Sequence, residues 1–329
     1  MNTAARLAFV AAIALTALAC GDPRGPTAPG GSSGPIAADF DFAAIGSGKA
    51  LITMFSGTVL VDADARTVRP LEAQFGALSP DAKSIAYERL FGDIFDPNYG
   101  YDIFVSDLDG SNEAHLTTFH NNMEAPPSWS ADGSSLLFAT DFDFNIPLAN
   151  PASQPGIYRV SRTAGPTQIA RFPVDAMGYI TCPTVGGGGS GTHVSENATG
   201  VIAFACQGGG IYVTGTQSRR VFAVNVGDQV GTPVWSADGT RLAFTRGVAD
   251  TTRLYVIDAA SGAEVSVIAL PVPGTATYEE PSICWLKAAN TFLFVAGDSE
   301  HSALYSVPVA GAPIRKVADR VIGGLSCVG

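Results

Sequence analysis

The chain is poor in positive charge. Its 329 residues carry 19 lysines and arginines against 30 aspartates and glutamates, a formal charge of −11, and no basic cluster breaks the deficit. A surface of that sign repels phosphate backbones and anionic bilayers, which argues against nucleic acid as a partner. Long apolar runs are equally scarce. The one of any length, Leu7–Ala19, has thirteen residues with Thr16 inside it, too short for a membrane-spanning helix, which needs about 20. Cysteine is sparse as well: there are five, with no Cys-x-x-Cys pair and no histidine at ligand spacing, which excludes an ordinary zinc site. His115, His120, His193 and His301 are scattered without mutual spacing, and none reads as catalytic. Ser190 and His193 share the glycine-rich stretch 183–200, PTVGGGGSGTHVSENATG, but a nucleophile needs a positioned base on a strained, rigid turn, and this stretch supplies neither. Nothing implies a cofactor.

The N-terminus has more to say. Arg6 precedes the apolar run, and Ala17-Leu18-Ala19 leads directly into Cys20, after which the chain turns polar. A charged start, a short apolar core and small residues at its end form a secretion signal. This one resembles the bacterial lipoprotein signal, whose cysteine is lipidated and becomes the mature N-terminus. The expectation is therefore a signal peptide over 1–19 and a lipid on Cys20. Gly21 in place of an aspartate favours the outer membrane with the protein facing the periplasm. Residues 20–44 are rich in Gly, Pro, Ser and Ala, bury too little apolar surface to offset ordering entropy, and read as a flexible tether. Residues 45–329 suffice for one large all-β domain.

That domain is repetitive. APPSWSADGSSLLFAT at 125–140 returns as GTPVWSADGTRLAFTR at 231–246. Weaker copies are FGALSPDAKSIAYER at 75–89, YITCPTV resumed after an insertion at TGVIAFACQ, and EEPSICWLKAANTFLFVA at 279–296. Each is followed by a strand of the Ile-Tyr-Val type, such as DIFVSD, GIYRVS, GIYVTG, RLYVID or ALYSVP, and most by a fourth short strand. In Ser-x-Asp-Gly the aspartate accepts backbone hydrogen bonds and the glycine closes the hairpin, while Trp129 and Trp235 fill space between sheets. With Leu78, Trp129, Thr181, Trp235 and Ile283 as equivalent positions, five units begin within the chain. The sixth is split: the end, VIGGLSCVG, offers a first strand at Leu325, and the start, GKALITMFSGTVLVDADARTVRPL, offers strands two to four. Joined, they predict an all-β fold, a six-bladed β-propeller closed by the C-terminal strand completing the first blade. A β-sandwich leaves the complementary termini unexplained.

The motif Trp-Ser-Ala-Asp-Gly-x-x-Leu-x-Phe, followed by Ile/Leu-Tyr-Val, resembles the WD-repeat-like propeller repeat of TolB, found also in the propellers of prolyl oligopeptidase relatives. The resemblance covers residues 45–329. It implies a propeller that binds protein partners in the periplasm, as TolB engages the lipoprotein Pal. The amino-terminal α/β domain of TolB has no counterpart here, so fold and a general binding role are what carry over.

Four cysteines besides Cys20 favour disulfides in an exported domain. Of three possible pairings, Cys182 with Cys206 would join strands of one blade, and Cys284 with Cys327 would clamp the ring at its closure. The chain-entropy model assigns the second about 4 kcal/mol. Glu124, Asp175, Asp228 and Glu280 each stand just ahead of a first strand, a placement that would gather them around one mouth of the channel to meet a cation or a basic peptide, or merely to keep the entrance wet. Asp141, Asp143 and Asn145 alternate as in a calcium loop but lack its glycine and final glutamate, so no metal is expected. Three functions compete: a non-enzymatic envelope lipoprotein whose propeller is a protein-binding scaffold, a glycan-cleaving lyase or hydrolase, and a sugar- or small-ligand-binding propeller.

Overall fold

The middle strands of each repeat are apolar on both faces, the pattern of a sheet buried on both sides. Arg241–Val248 pairs antiparallel with Thr251–Asp258, setting Leu242 opposite Ile257 and Phe244 opposite Tyr255. These four side chains pack towards one neighbouring sheet, while Ala243, Leu254 and Val256 pack towards the other. A sheet needing cover on both faces finds it in a ring.

The computed structural model describes residues 39–54, 56–71, 76–91, 100–118, 127–140, 156–172, 194–206, 209–214, 218–225, 228–248, 251–273, 283–296 and 302–329. They form six antiparallel sheets, the blades of a six-bladed propeller. Blade 1 orders Val321–Val328, Lys49–Met54, Gly57–Asp62 and Thr67–Leu71. Blade 2 has Gly76–Leu78, Ser84–Phe91, Gly100–Asp107 and the two-residue Ala114–His115. Blade 3 has Ser128–Trp129, Leu136–Thr140, Gly156–Val160 and Thr167–Arg171. Blade 4 has Val194–Glu196, Ile202–Cys206, Gly210–Val213 and Arg219–Ala223. In blade 5 the first strand is broken into Gln229–Val230 and Val234–Trp235, both on Arg241–Val248, followed by Thr251–Asp258 and Glu264–Pro273. Blade 6 has Ile283–Leu286, Thr291–Ala296, Ala303–Pro308 and Arg315–Asp319.

First strands touch first strands in cyclic order around the axis, and Val321–Val328 lies against those of blades 2 and 6. The C-terminal strand thus closes the ring, pairing Cys327 with Ala50 and Ser326 with Leu51. Inside five blades one cross-strand aromatic pair recurs, stacked at 5.5–6.0 Å: Tyr87–Phe104, Phe138–Tyr158, Phe204–Tyr212, Phe244–Tyr255 and Phe294–Tyr305. Blade 1 places Ile52 opposite Val59 instead.

Three sequence expectations shift. Blade 4 begins at Val194, not around Thr181: Asn197 makes its own Asx turn, accepting from the N–H groups of Thr199 and Val201 (both 3.0 Å), so the first strand lies just before that turn. In blade 6 the ladder pairs Trp285 with Phe292 as Trp235 pairs with Leu242, so Trp285, not Ile283, is the equivalent of Trp129 and Trp235. All three tryptophans of the chain occupy one position of the repeat. The described part of the chain also includes residues 39–44, ahead of the expected domain start at 45. Asp41 caps a single helical turn, α1 (Phe42–Ile45), by accepting from the Ala44 N–H at 3.2 Å, and Phe40, Ala44 and Ile45 are buried against blades 1 and 6. Three apolar side chains within six residues give this segment a buried anchor on the ring. Among the described residues no helix is long and apolar enough to cross a membrane.

Candidate binding cleft between blades 2 and 3

The repeated turns place the acids. In blade 3 the Ser130 hydroxyl donates to Asp132 Oδ1 at 2.7 Å, the same oxygen accepts the Ser134 N–H at 2.9 Å, and Ser130 Oγ accepts the Ser135 N–H at 3.0 Å. Blade 5 repeats this through Ser236, Asp238 and Thr240, and blade 2 through Ser79, Asp81 and Lys83. Gly133 and Gly239 take φ of +71° and +68° to close these turns, whereas blade 2 has Ala82 at +55°. The hydroxyl bond from Ser130 and the N–H of Ser134 stabilise the ionised Asp132 and pull its pKa down to about 2; Ser236 and Thr240 do the same for Asp238, also to about 2. These aspartates are fixed turn anions, unsuited to proton transfer near neutral pH.

Of the four expected channel acids, Asp228 lies among the described residues; Glu124, Asp175 and Glu280 lie outside them. Asp228 is buried, and Arg246 donates to its Oδ2 through Nε at 3.0 Å and Nη2 at 2.5 Å, with the Asn225 N–H at 3.0 Å. Burial pushes this carboxyl up, but the Arg246 hydrogen bonds and the Asn225 N–H outweigh it and hold the pKa below the usual carboxylate range. Its carboxylate is taken by the second strand of its own blade. Cys284 and Cys327 form a disulfide with Cα atoms 5.8 Å apart. Cys206 is disulfide-bonded as well, while Cys182 and Cys20 lie outside the described residues, as do Ser190, His193, Asp141, Asp143 and Asn145.

The feature that sequence reading missed is a cleft. Between the turns of blades 2 and 3 lies a space of about 480 Å³. Val105, Leu116, Leu136 and Trp129 form its floor, and Asp81, Asp132, Ser134, Arg162 and Thr163 surround it. Arg162 spans the outer end, donating from Nη1 to the Asn112 carbonyl of blade 2 at 2.7 Å. The equivalent space between blades 4 and 5 is filled: Val221, Trp235, Leu242 and Ala259 belong to one buried cluster. There Gly262 lies so near blade 4 that a β-carbon on it would sit 1.8 Å from the Val221 oxygen. Two differences open the cleft. Blade 2 has a two-residue fourth strand where blade 4 has five residues, and Arg162 stands in the turn position that Ala259 occupies in blade 5. Aligning VSRTAG of 160–165 with IDAASG of 257–262 shows that replacement in the sequence itself. Between blades 3 and 4 the corresponding region is bridged by Arg159, which donates to Glu196, whose side chain is 5% exposed, and, at 3.0 Å, to Ser135 Oγ.

Solved structures share this ring of blades. TolB from Acinetobacter baumannii superposes over 86% of this chain and 67% of its own, with a TM-score of 0.57 at 17% identity. The fold is that of the TolB-type propeller. A TolB-type protein of Agrobacterium tumefaciens matches over 85% of this chain and 94% of its own (TM-score 0.53, 13% identity). The periplasmic gluconolactonase of Pseudomonas aeruginosa matches over 85% and 97% (TM-score 0.51, 13% identity). No family model and no curated protein sequence matches the chain. At such identities the TolB-type likeness is one of fold, and one fold hosts both binding and catalysis.

Proposed function

We propose that this protein is an exported bacterial envelope lipoprotein whose propeller works as a non-enzymatic, protein-binding scaffold. The observation that carries the reading is the engagement of the described acids of the repeat. Asp81, Asp132 and Asp238 hold turns, Asp228 holds Arg246, Glu196 holds Arg159, and the buried Asp102 is engaged inside its own blade by His115 at 2.8 Å and by the Thr117 hydroxyl, so these carboxylates serve the frame. A ring closed by strand pairing and a disulfide is a rigid platform, and the TolB-type fold supports that use. Cys20 would carry the lipid, holding the platform at the outer membrane on the periplasmic side.

The test combines localisation with crosslinking in intact cells. The wild-type chain should incorporate a labelled fatty acid and fractionate with the outer membrane, and Cys20→Ala should be exported yet soluble. Both should crosslink to the same envelope protein. Failure of the fatty acid to label the wild type removes the anchor. The absence of any reproducible crosslinked protein removes the scaffold.

A further inference from the structure

The cleft between blades 2 and 3 has a composition that the frame does not require. Its floor is apolar, with Val105 and Leu136 each 1% exposed and Trp129 partly so, yet its rim carries hydrogen-bonding groups with capacity left over. Among the described residues, Asp132 Oδ2 accepts from the Ser134 hydroxyl alone, at 2.9 Å. The one cationic group paired with Asp81 Oδ2 among the described residues is Lys83 Nζ, at 3.9 Å, beyond hydrogen-bond reach. Arg162, among the described residues, uses one of its five N–H donors, on Asn112. Acceptors thus stand on the adjoining turns of both blades, which come together at Pro80 and Gly133, and a donor stands on the turn that carries Arg162.

That arrangement selects by charge and by shape. Both carboxylates are ionised at neutral pH, held low by the Ser79 and Ser130 hydroxyls respectively, so with one guanidinium the cleft repels an anionic ligand. A simple cation satisfies the aspartates and leaves Arg162 unanswered. A ligand with hydroxyls around its edge answers both, since each hydroxyl donates to a carboxylate or accepts from Arg162. The apolar floor asks in addition for a C–H face. The volume of about 480 Å³ lies within the range of small-molecule sites. We propose that this cleft is a binding site for a neutral pyranose, seated with its C–H face on Trp129 and Leu116 and its hydroxyls on Asp81, Asp132 and Arg162. The site stands independently of the scaffold reading, because it uses neither the lipid nor a protein partner.

Saturation-transfer NMR on the full chain provides the test, with glucose, galactose, mannose and N-acetylglucosamine as probes and glucose 6-phosphate and glycine as controls. At least one neutral sugar should bind saturably at about 1 mM or tighter. Arg162→Ala, at an exposed position, should weaken it about tenfold, and Leu116→Trp, which fills the floor, should abolish it. Wild-type melting temperatures would show that both variants are folded; should Leu116→Trp fail to fold, Arg162→Ala alone decides. The proposal falls if no neutral sugar saturates, if glucose 6-phosphate or glycine binds more tightly than every neutral sugar, or if binding survives Arg162→Ala undiminished.

Discussion

Cys284 and Cys327, 43 residues apart, are bonded between the first strands of blades 6 and 1, so one covalent link ties the last complete blade to the strand that closes the ring. In the chain-entropy model a loop of this length contributes about 4 kcal/mol. Cys327→Ser should lower stability by about that much in urea melts under oxidising conditions. Amide exchange should quicken first in Val321–Val328 and its partner Lys49–Met54, because opening the ring there breaks one ladder and leaves the other blades intact. An unchanged urea midpoint would show that strand pairing alone holds the closure.

The three equivalent tryptophans are unequal in their hydrogen bonds. Trp129 Nε1 donates to the Ala77 carbonyl at 2.9 Å and Trp235 Nε1 to the Ser195 carbonyl at 3.1 Å, each on the preceding blade. Trp285 Nε1 is buried with no acceptor among the described residues. Phenylalanine at Trp235 loses ring area and a bond between blades, at a cost of about 2 kcal/mol; at Trp285 it loses ring area but also removes an unsatisfied donor, so the cost should be about 1 kcal/mol or less. Chemical denaturation of the two variants should rank them in that order, and equal costs would mean that the inter-blade bond contributes nothing.

Much of this was legible because a propeller writes its architecture into a repeat. The Trp-Ser-Ala-Asp-Gly units and the complementary ends, Leu325 and Lys49, carry blade count and closure. What misled was local. Blade 6 lacks the Ser-x-Asp-Gly turn, and without it the apolar run ICWLKAANTFLF admits Ile283 as readily as Trp285. Blade 4 substitutes an Asn197 turn one residue shorter, which sent the first strand back to Thr181. The cleft was illegible for a different reason: it arises from what two blades fail to fill, a short fourth strand on one and Arg162 on the other, and single-repeat patterns record neither.

Ala82 sits at φ +55° where blades 3 and 5 have glycine at +71° and +68°. A β-carbon in the left-handed region costs roughly 1 kcal/mol, part of which glycine returns through greater freedom of the unfolded chain. Ala82→Gly should therefore raise stability by about 0.5 kcal/mol, and Gly133→Ala should lower it by about the same amount. Thermal melts of the pair decide it; a loss on Ala82→Gly would show that the blade 2 turn holds its alanine without strain.

Acid should loosen the turns within a defined window. Asp132 and Asp238 have folded pKa values of about 2 against an ordinary 3.8, so between those values the unfolded chain binds more protons than the folded one. Their contribution is complete above about pH 4 and is lost as pH falls towards 2. The melting temperature should drop across that interval, and less steeply in Asp132→Asn, which has no proton to take up there. Parallel slopes for variant and wild type would contradict the assignment.

Asp228 decides between a mouth ligand and a structural anion. Its side chain is 8% exposed and that of its partner Arg246 16%, and Arg246 stands within 6.0 Å of the Phe222 and Tyr255 ring centres, so the guanidinium is wedged between a carboxylate and two rings. Removing one member of such a pair strands the other charge in a dry site, at about 3–5 kcal/mol, whereas replacing both with apolar groups of similar volume is far cheaper. Asp228→Ala should therefore cost about 3 kcal/mol or more, and Asp228→Leu with Arg246→Met should recover most of it. A ligand acid facing the channel predicts the reverse: near-normal stability for the single variant and no rescue by the second change. Urea denaturation of the single and double variants separates the two, because only a structural pair couples their energies.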